Sequence, residues 1–258
     1  MPDEQLILTS LERDGRVARL TINRPRKLNS LTSEAIAELT QAARVLQGKD
    51  KLRAVVLTGS GDKAIVGGAD IGTLASLDAR SGRAFITSMH AAIAAVAAIP
   101  VPVIARINGW CLGAGLELAA GCDLLVAAEH AMLGMPEVKV GVPSVIEAAL
   151  LPRLIGWGKA AELVLTGENI DAAEAWRLGL VQKVVPLADL DAAVDAWLDS
   201  LLAAGPKAVR LQKKLMRRWA VLTVDQAIEA GIDCFAEAYT TDEPARLAGS
   251  FARRGKPR

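Results

Sequence analysis

Short apolar strands alternate with helices over the first three quarters of the chain, and this alternation constrains the fold more than any other feature. Arg53–Thr58 (RAVVLT) and Val101–Ile107 are β-branched runs typical of buried strands, and Ala79–Ile99 between them has the length of a helix. Asp123–Ala128 and the run LVQKVVP predict two further strands. Strands separated by helices are typical of a largely parallel sheet covered on both faces.

The chain begins and ends differently from this middle part. Leu6–Glu12 and Arg16–Asn23 flank Asp14-Gly15, which predicts a hairpin. From Leu190 onward the sequence predicts only helices, interrupted at Gly205-Pro206. We expect an α/β core domain over residues 1–195 and a helical region over 196–258 that packs on something other than the sheet, such as another subunit.

Composition excludes several classes of function. Of the 258 residues 52% are apolar, enough for a large core, and 30 basic residues nearly cancel 29 acidic ones. The balance argues against nucleic acid or an anionic membrane as the main partner. Three cysteines without a CxxC spacing argue against disulfides and zinc, and the N-terminus lacks a secretory signal pattern, so we expect a cytoplasmic protein. The uncharged run Ala84–Ala105 is too rich in alanine, and too interrupted by prolines, to predict a membrane span.

A single carboxylate in an apolar environment is the first chemical signal. Glu117 follows the glycine-rich turn Gly113–Gly115 and is surrounded in sequence by leucine and alanine. A lone buried carboxylate is costly unless it is paired or used. Glu117 is therefore either exposed or functional.

Two glycine segments are candidates for binding an oxyanion. Gly67 and Gly68, in KAIVGGADIG, allow positive φ angles, and a helix after Asp70 leaves free N–H groups near Gly68-Ala69. Gly113-Ala114 likewise precedes a helix and provides a second set of amides. The alternative for the first segment is an ordinary turn with Asp70 as a helix cap. A dinucleotide fingerprint is excluded in the second, because Leu118 occupies the position of the third glycine.

A second carboxylate lies 20 positions after the first, at Glu137 in the loop GMPEVKVGVPS. An apolar wall would raise its pKa and let it carry a proton near neutral pH; the alternative is a surface loop residue. Two amide donors and two carboxylates suit chemistry beside a thioester carbonyl, where the amides hold an enolate oxygen and the carboxylates move protons and water.

These segments resemble the crotonase superfamily, the enoyl-CoA hydratase/isomerase fold, over essentially the whole chain. The resemblance is carried by LTINRPRKLNSLT, by VGGADI, by INGWCLGAGLELAAGCDLLVAAEHAMLGMPEVKVG and by the tail TTDEPARLAGSFARRGKP. It implies a spiral of ββα units with a helical C-terminal trimerisation region. Such proteins form homotrimers or dimers of trimers.

The resemblance also implies residue roles. The amides of Ala69 and Ala114 would hold the thioester oxygen, Glu117 would activate water, and Glu137 would protonate the α-carbon. The acyl-CoA substrate would contact Lys27, Leu28, Gly67, Gly68, Asp70, Ile71 and Gly113. No metal is implied, and no cofactor besides the CoA of the substrate. The implied activity is a 2-enoyl-CoA hydratase, with an enoyl-CoA isomerase, or a lyase or hydrolase acting on a polar acyl-CoA, as alternatives.

The sequence departs from the family pattern in two places. Ala114 stands where most hydratases have glycine, and Ser144–Glu147 replaces a glycine-rich Pro-Gly-Ala-Gly-Gly segment that shapes the acyl pocket. Glu147 is either a solvated helix residue or a contact for a polar acyl group. We expect His90 to be a packed or capped histidine of its helix rather than a base.

Overall fold

The computed structural model describes residues 5–254, within which there are ten strands and eleven α-helices. In chain order the strands are β1 (Ile7–Glu12), β2 (Val17–Ile22), β3 (Ala54–Gly59), β4 (Ala64–Val66), β5 (Val103–Ile107), β6 (Trp110–Leu112), β7 (Leu124–Ala128), β8 (Met132–Gly134), β9 (Asn169–Asp171) and β10 (Lys183–Val185). The α-helices are α1 (Ser33–Gln47), α2 (Ile71–Ala75), α3 (Ala79–Ala97), α4 (Ala114–Ala120), α5 (Leu151–Ile155), α6 (Trp157–Thr166), α7 (Ala172–Arg177), α8 (Leu190–Ala203), α9 (Pro206–Trp219), α10 (Val224–Ala238) and α11 (Glu243–Arg254). Residues 1–4 and 255–258, with the end of the basic tail motif, lie outside the described residues.

The larger sheet confirms the predicted parallel arrangement. Its strand order is β1-β2-β3-β5-β7-β10, and only the β1–β2 hairpin is antiparallel. Every residue of β3 is buried, because successive side chains alternate between two covered faces. Val55 and Leu57 join the main core with α1 and α3, whereas Ala54 and Val56 face α8.

The smaller sheet was not predicted. Its order is β4-β6-β8-β9, each strand has three residues, and β4, β6 and β8 run parallel. The sequence pattern does not predict these strands, because three residues are too few to show a strand period. β9 completes the sheet by pairing antiparallel with β8, Leu133 opposite Ile170.

The expectation that the helical tail packs on something other than the sheet is wrong for α8. Leu190, Val194 and Leu198 are fully buried against the second face of the larger sheet. Asp191 also binds the Arg106 guanidinium of β5, with an Nε–Oδ1 distance of 2.8 Å. α8 therefore covers the sheet, and it spans the expected domain boundary between residues 195 and 196.

Helix α9 connects the C-terminal helical region to residues just before β5 and β7. Lys213 of α9 is buried and places its Nζ 2.6 Å from Asp123 Oδ2 and 2.9 Å from the Val101 carbonyl oxygen. Burial is the main influence on the Lys213 ammonium and lowers its pKa. α9 is thus part of the packed core even though most of its face is polar.

The uncharged stretch Ala84–Ala105 belongs to the packed α/β fold. This stretch forms most of α3 and the first part of β5. Within residues 5–254, no helix combines the length and the apolarity that a bilayer crossing requires.

Candidate active site

The site segments meet at one edge of the smaller sheet. β4, β6 and β8 are adjacent parallel strands, so their carboxyl ends lie at the same edge. They lead directly into Gly67–Ala69, Gly113-Ala114 and Met135–Glu137. Three segments distant in sequence are therefore brought together by strand pairing.

These segments line a cavity of about 400 Å³. Most of the other lining side chains are apolar and come from α2, α3 and the stretch after Glu137. They include Leu74, Leu77, Phe85, Ile86, Met89, Val140, Val142 and Val145. A mostly apolar pocket with a few convergent polar groups is typical of a small-molecule site.

The first amide segment is fixed by backbone hydrogen bonds on both sides of Ala69. Leu31 N donates to Gly68 O, and Asp70 N donates to Leu31 O, both at 2.9 Å. Gly68 has a φ of 111°, which favours glycine. Among the described residues no acceptor is bound to the Ala69 amide, so this N–H is free at the cavity.

The second amide segment begins α4. Gly113 has a φ of 53°, and Ala114 is the first residue of the helix, so its amide has no partner within the helix. Within residues 5–254 no acceptor outside the helix is bound to it either. Among the described residues, both candidate amide donors are therefore without an acceptor.

Glu117 is buried on α4, with 4% of its surface exposed. Its Oε1 accepts a hydrogen bond of 2.9 Å from the Ala148 amide. Burial raises the pKa of Glu117 to about 8, and the nearby charges of Glu137 and Glu147 act in the same direction, while the Ala148 amide opposes them. A carboxyl group with this pKa carries its proton at neutral pH.

Glu137 lies on a short 3₁₀ helix, Pro136–Val140, and lines the cavity rather than extending from the surface. Its Oε2 accepts a hydrogen bond of 2.8 Å from the Ser144 hydroxyl. Its Oε1 faces Gly113: a Cβ atom at that position would lie 2.5 Å from this oxygen. Burial raises the pKa of Glu137, and the Ser144 hydroxyl opposes that rise.

Eight of the eleven predicted site residues line this cavity: Gly67, Gly68, Ala69, Ile71, Gly113, Ala114, Glu117 and Glu137. Lys27, Leu28 and Asp70 do not. Leu28 adjoins the edge, since its carbonyl oxygen accepts a 2.8 Å hydrogen bond from Gly67 N, and Lys27 beside it is exposed.

Asp70 caps a helix, which is the alternative that the sequence allowed for it. Its carboxylate caps α2 by accepting from Thr73 N at 3.1 Å, and it lies 3.3 Å from Arg24 Nη1. The Thr73 amide and the Arg24 guanidinium hold the pKa of Asp70 below its usual range.

In the Ser144–Glu147 segment, the sequence does not predict the contact between Glu147 and His90. Glu147 is not solvated: its side chain is 12% exposed, and its Oε1 lies 2.6 Å from His90 Nδ1 on α3. Its Oε2 is buried and has no partner in the described part of the chain. The two residues are 57 positions apart, and no local pattern links them.

The groups that line this cavity can transfer protons and can bind an oxyanion. Within residues 5–254, no group of three or more histidine, cysteine, aspartate or glutamate side chains is arranged to hold a metal ion. Two free amides can bind an oxygen that gains negative charge, and two carboxyl groups face the same cavity.

Comparisons with known proteins agree with this architecture. A family model described as enoyl-CoA hydratase/isomerase matches residues 12–258. The short-chain-enoyl-CoA hydratase of Clostridium acetobutylicum is 34% identical over 247 residues, 95% of each chain, and the crotonyl-CoA hydratase of Syntrophomonas wolfei is 35% identical over 247 residues, 95% of each chain. The crystal structure of an enoyl-CoA hydratase from Bacillus anthracis is similar with a TM-score of 0.93 at 31% identity, covering 98% of both chains.

Proposed function

Since the chain belongs to the enoyl-CoA hydratase/isomerase family, we propose that it is a 2-enoyl-CoA hydratase. It would add water across the 2,3 double bond of an acyl-CoA thioester to give the 3-hydroxyacyl-CoA. One observation carries the proposal: two unengaged amides share one largely apolar cavity with two carboxyl groups, of which Glu117 is buried and Glu137 is partly buried.

The amides of Ala69 and Ala114 bind the thioester carbonyl oxygen in this scheme. They polarise the conjugated double bond and stabilise the enolate that forms when water adds to the β-carbon. Because both donors belong to the main chain, they are held by the fold and need no reorganisation during the reaction. The CoA portion runs from Gly67 towards Lys27 and Leu28.

The carboxyl groups move the protons. Glu117 takes a proton from the attacking water, and Glu137 donates one to the α-carbon. Glu117, with a pKa of about 8, carries a proton at neutral pH. Hydration requires an ionised Glu117 and a protonated Glu137. The reverse reaction, dehydration, requires a protonated Glu117 and an ionised Glu137.

The cavity wall supports an apolar acyl group. Apart from Lys139, the other side chains that line the cavity are apolar, among them Leu74, Leu77, Phe85, Ile86, Met89, Pro136, Val140, Val142, Pro143 and Val145. Glu147 does not line the cavity and is bound to His90. This arrangement favours a hydrocarbon chain over a polar acyl group.

The test compares Glu117→Gln and Glu137→Gln in crotonyl-CoA hydration. We expect each to lower kcat by about a thousandfold or more, since proton transfer by a positioned side chain contributes roughly 10²–10⁴-fold, while the melting temperature stays near or above that of the wild type. Glu162→Gln on the surface of α6 is the matched control and should keep full activity.

Two results would count against the proposal. Wild-type turnover by Glu137→Gln would remove that residue from the scheme. Conversion of a 3-enoyl-CoA with no hydration of crotonyl-CoA would replace the hydratase with an isomerase.

Self-association as a homotrimer or a dimer of trimers is proposed as well. Val224, Ile228, Ile232 and Phe235 form an exposed apolar stripe along α10, and such stripes mark interaction surfaces. Light scattering of the purified protein tests this, with Ile228→Lys expected to yield smaller species.

Because all three cysteines are free thiols, we place the protein in the reducing cytoplasm.

A further inference from the structure

A single segment supplies a hydrogen-bond donor to each of the two cavity carboxyl groups. The Ser144 hydroxyl donates to Glu137 Oε2 at 2.8 Å, and the Ala148 amide donates to Glu117 Oε1 at 2.9 Å. The Ala148 donor belongs to the main chain and survives any side-chain substitution. The Ser144 donor depends on the side chain alone.

We propose that Ser144 is a positioning residue that orients Glu137, leaving Oε1 as the oxygen that exchanges a proton with the substrate. This inference rests on the proposed function, since it assigns the proton transfer of that reaction to one atom.

The geometry around Glu137 supports the assignment. Oε2 is occupied by the Ser144 hydroxyl, whereas Oε1 faces Gly113, the residue before the Ala114 amide. A side chain at position 113 would displace Oε1, so glycine keeps the approach open. The free oxygen thus lies beside the proposed oxyanion site, where the α-carbon of a bound thioester would be.

The Ser144 hydroxyl is the side-chain contact that holds the Glu137 carboxyl group. Glu137 lies on a 3₁₀ helix of five residues whose last members, Lys139 and Val140, are exposed. Among the described residues, Ser144 is the only side chain that donates a hydrogen bond to it. Loss of the Ser144 hydroxyl would therefore leave the Glu137 carboxyl group without a side-chain donor among those residues.

The other charged groups near Glu137 do not replace this contact. Glu117 lies across the cavity on α4 and is itself bound to the Ala148 amide. Lys139, on the same 3₁₀ helix, pairs with Glu168 at 2.7 Å, and Glu147 pairs with His90 of α3. A hydroxyl donor stabilises an ionised acceptor, so Ser144 favours the ionised form of Glu137.

The experiment measures Ser144→Ala and Ser144→Thr against Ser200→Ala, an exposed serine of α8. In crotonyl-CoA hydration we expect Ser144→Ala to lower kcat by about tenfold, because a hydrogen bond to a charged group is lost. KM should change little, and the acid limb of the pH profile should move to higher pH. Ser144→Thr keeps the hydroxyl and should restore most of kcat.

A second measurement does not depend on turnover. Glutamate labelled with ¹³C at the side-chain carboxyl is incorporated into each variant, and the Glu137 resonance is assigned from its loss in Glu137→Gln. We expect Glu137 to titrate at higher pH in Ser144→Ala than in the wild type. Ser144→Thr and Ser200→Ala should titrate as the wild type does.

The outcomes separate this inference from the proposed function. An inactive wild type whose Glu137 titration still responds to Ser144→Ala would refute the hydratase and keep the contact. An active wild type with the same acid limb and the same Glu137 titration in Ser144→Ala would overturn the role of Ser144. A purely structural effect would lower the melting temperature without moving either titration, and it would overturn that role too.

Discussion

The two walls of the cavity are built in different ways. The main-chain wall, residues 67–69 and 113–115, follows β4 and β6 and is held by backbone hydrogen bonds and close packing. The side-chain wall, residues 136–148, consists largely of two 3₁₀ turns with several exposed valines. The two proposed oxyanion donors are thus main-chain groups fixed by the fold, and Glu117 is held by the main-chain amide of Ala148. Glu137, in contrast, depends on a side-chain contact with Ser144. Substitutions in the main-chain wall should therefore lower both stability and activity. Substitutions in the side-chain wall should change activity or its pH dependence with a smaller effect on stability.

The largest combined loss of stability and activity is expected from adding one methyl group behind the main-chain wall. In Gly115→Ala the new Cβ would overlap the Val66 carbonyl oxygen of β4. α4 must then move away from β4 and carry the Ala114 amide with it. We expect destabilisation of about 3 kcal/mol, as for other overpacked cores, and loss of about a hundredfold or more in kcat/KM.

Gly141→Ala is the matched control in the side-chain wall. Gly141 has a φ of 83°, but nothing lies within 4 Å of the added Cβ. Only the left-handed conformation is strained, at a cost of about 1–2 kcal/mol. Urea unfolding and crotonyl-CoA hydration measure both variants. Full activity in Gly115→Ala would show that the main-chain wall is not rigid.

The next effect concerns stability against pH. The folded-state pKa of Glu117 is about 8, raised from 4.5, so the folded protein binds more protons than the unfolded chain between these values. Its stability should therefore fall as pH rises through this window, with the destabilisation fully present above pH 8. Glu117→Gln keeps an acceptor for Ala148 and removes the charge. The difference in folding free energy between this variant and the wild type should reach up to about 5 kcal/mol well above pH 8, in favour of the variant, and should be small at pH 5.

Denaturant unfolding at several pH values checks this difference, with Glu162→Gln as the exposed control. A constant gap between Glu117→Gln and the wild type from pH 5 to 9 would contradict the raised pKa.

The third effect is the pH dependence of hydration. The reaction needs one proton on the carboxyl pair, and that proton is lost as pH rises through the pKa of Glu117, about 8. We expect kcat/KM to decrease about tenfold per pH unit above that value. It should also decrease in acid below the raised pKa of Glu137, where both groups are protonated. A profile that stays flat to pH 10 would exclude the pair as the source of the proton.

The smallest effect is expected from Glu147→Gln in the side-chain wall. The Glu147 carboxylate is one of the charges that raise the pKa of Glu117, after burial and Glu137. Its neutralisation should move the alkaline limb of kcat/KM to lower pH, with kcat changed about twofold. The measurement is the pH profile of the variant beside that of Glu162→Gln. A shift to higher pH would contradict the electrostatic origin.

Local patterns predicted most of the larger sheet and its helices. The β1–β2 hairpin occurs as expected, because it depends on neighbouring residues. The apolar sequence around Glu117 left two alternatives, an exposed residue or a buried functional one, and the structure shows that the residue is buried. The roles of the site residues remain predictions.

The missed features depend on residues far apart in sequence. The stripe Leu190, Val194 and Leu198 shows that α8 has an apolar face, but nothing local tells which surface covers it. The pairing of His90 with Glu147 is of the same kind. Such contacts follow from where elements pack.

The sequence by itself determined the chemistry available: glycine turns with free amides, and two carboxylates in apolar surroundings. Only the tertiary structure decided that they meet. Parallel pairing of β4 with β6, Ala64 opposite Trp110, and of β6 with β8 brings three strand ends to one edge. The physical reason is that periodicity and turn preferences act over a few residues, whereas strand register is set by the packing of the whole core.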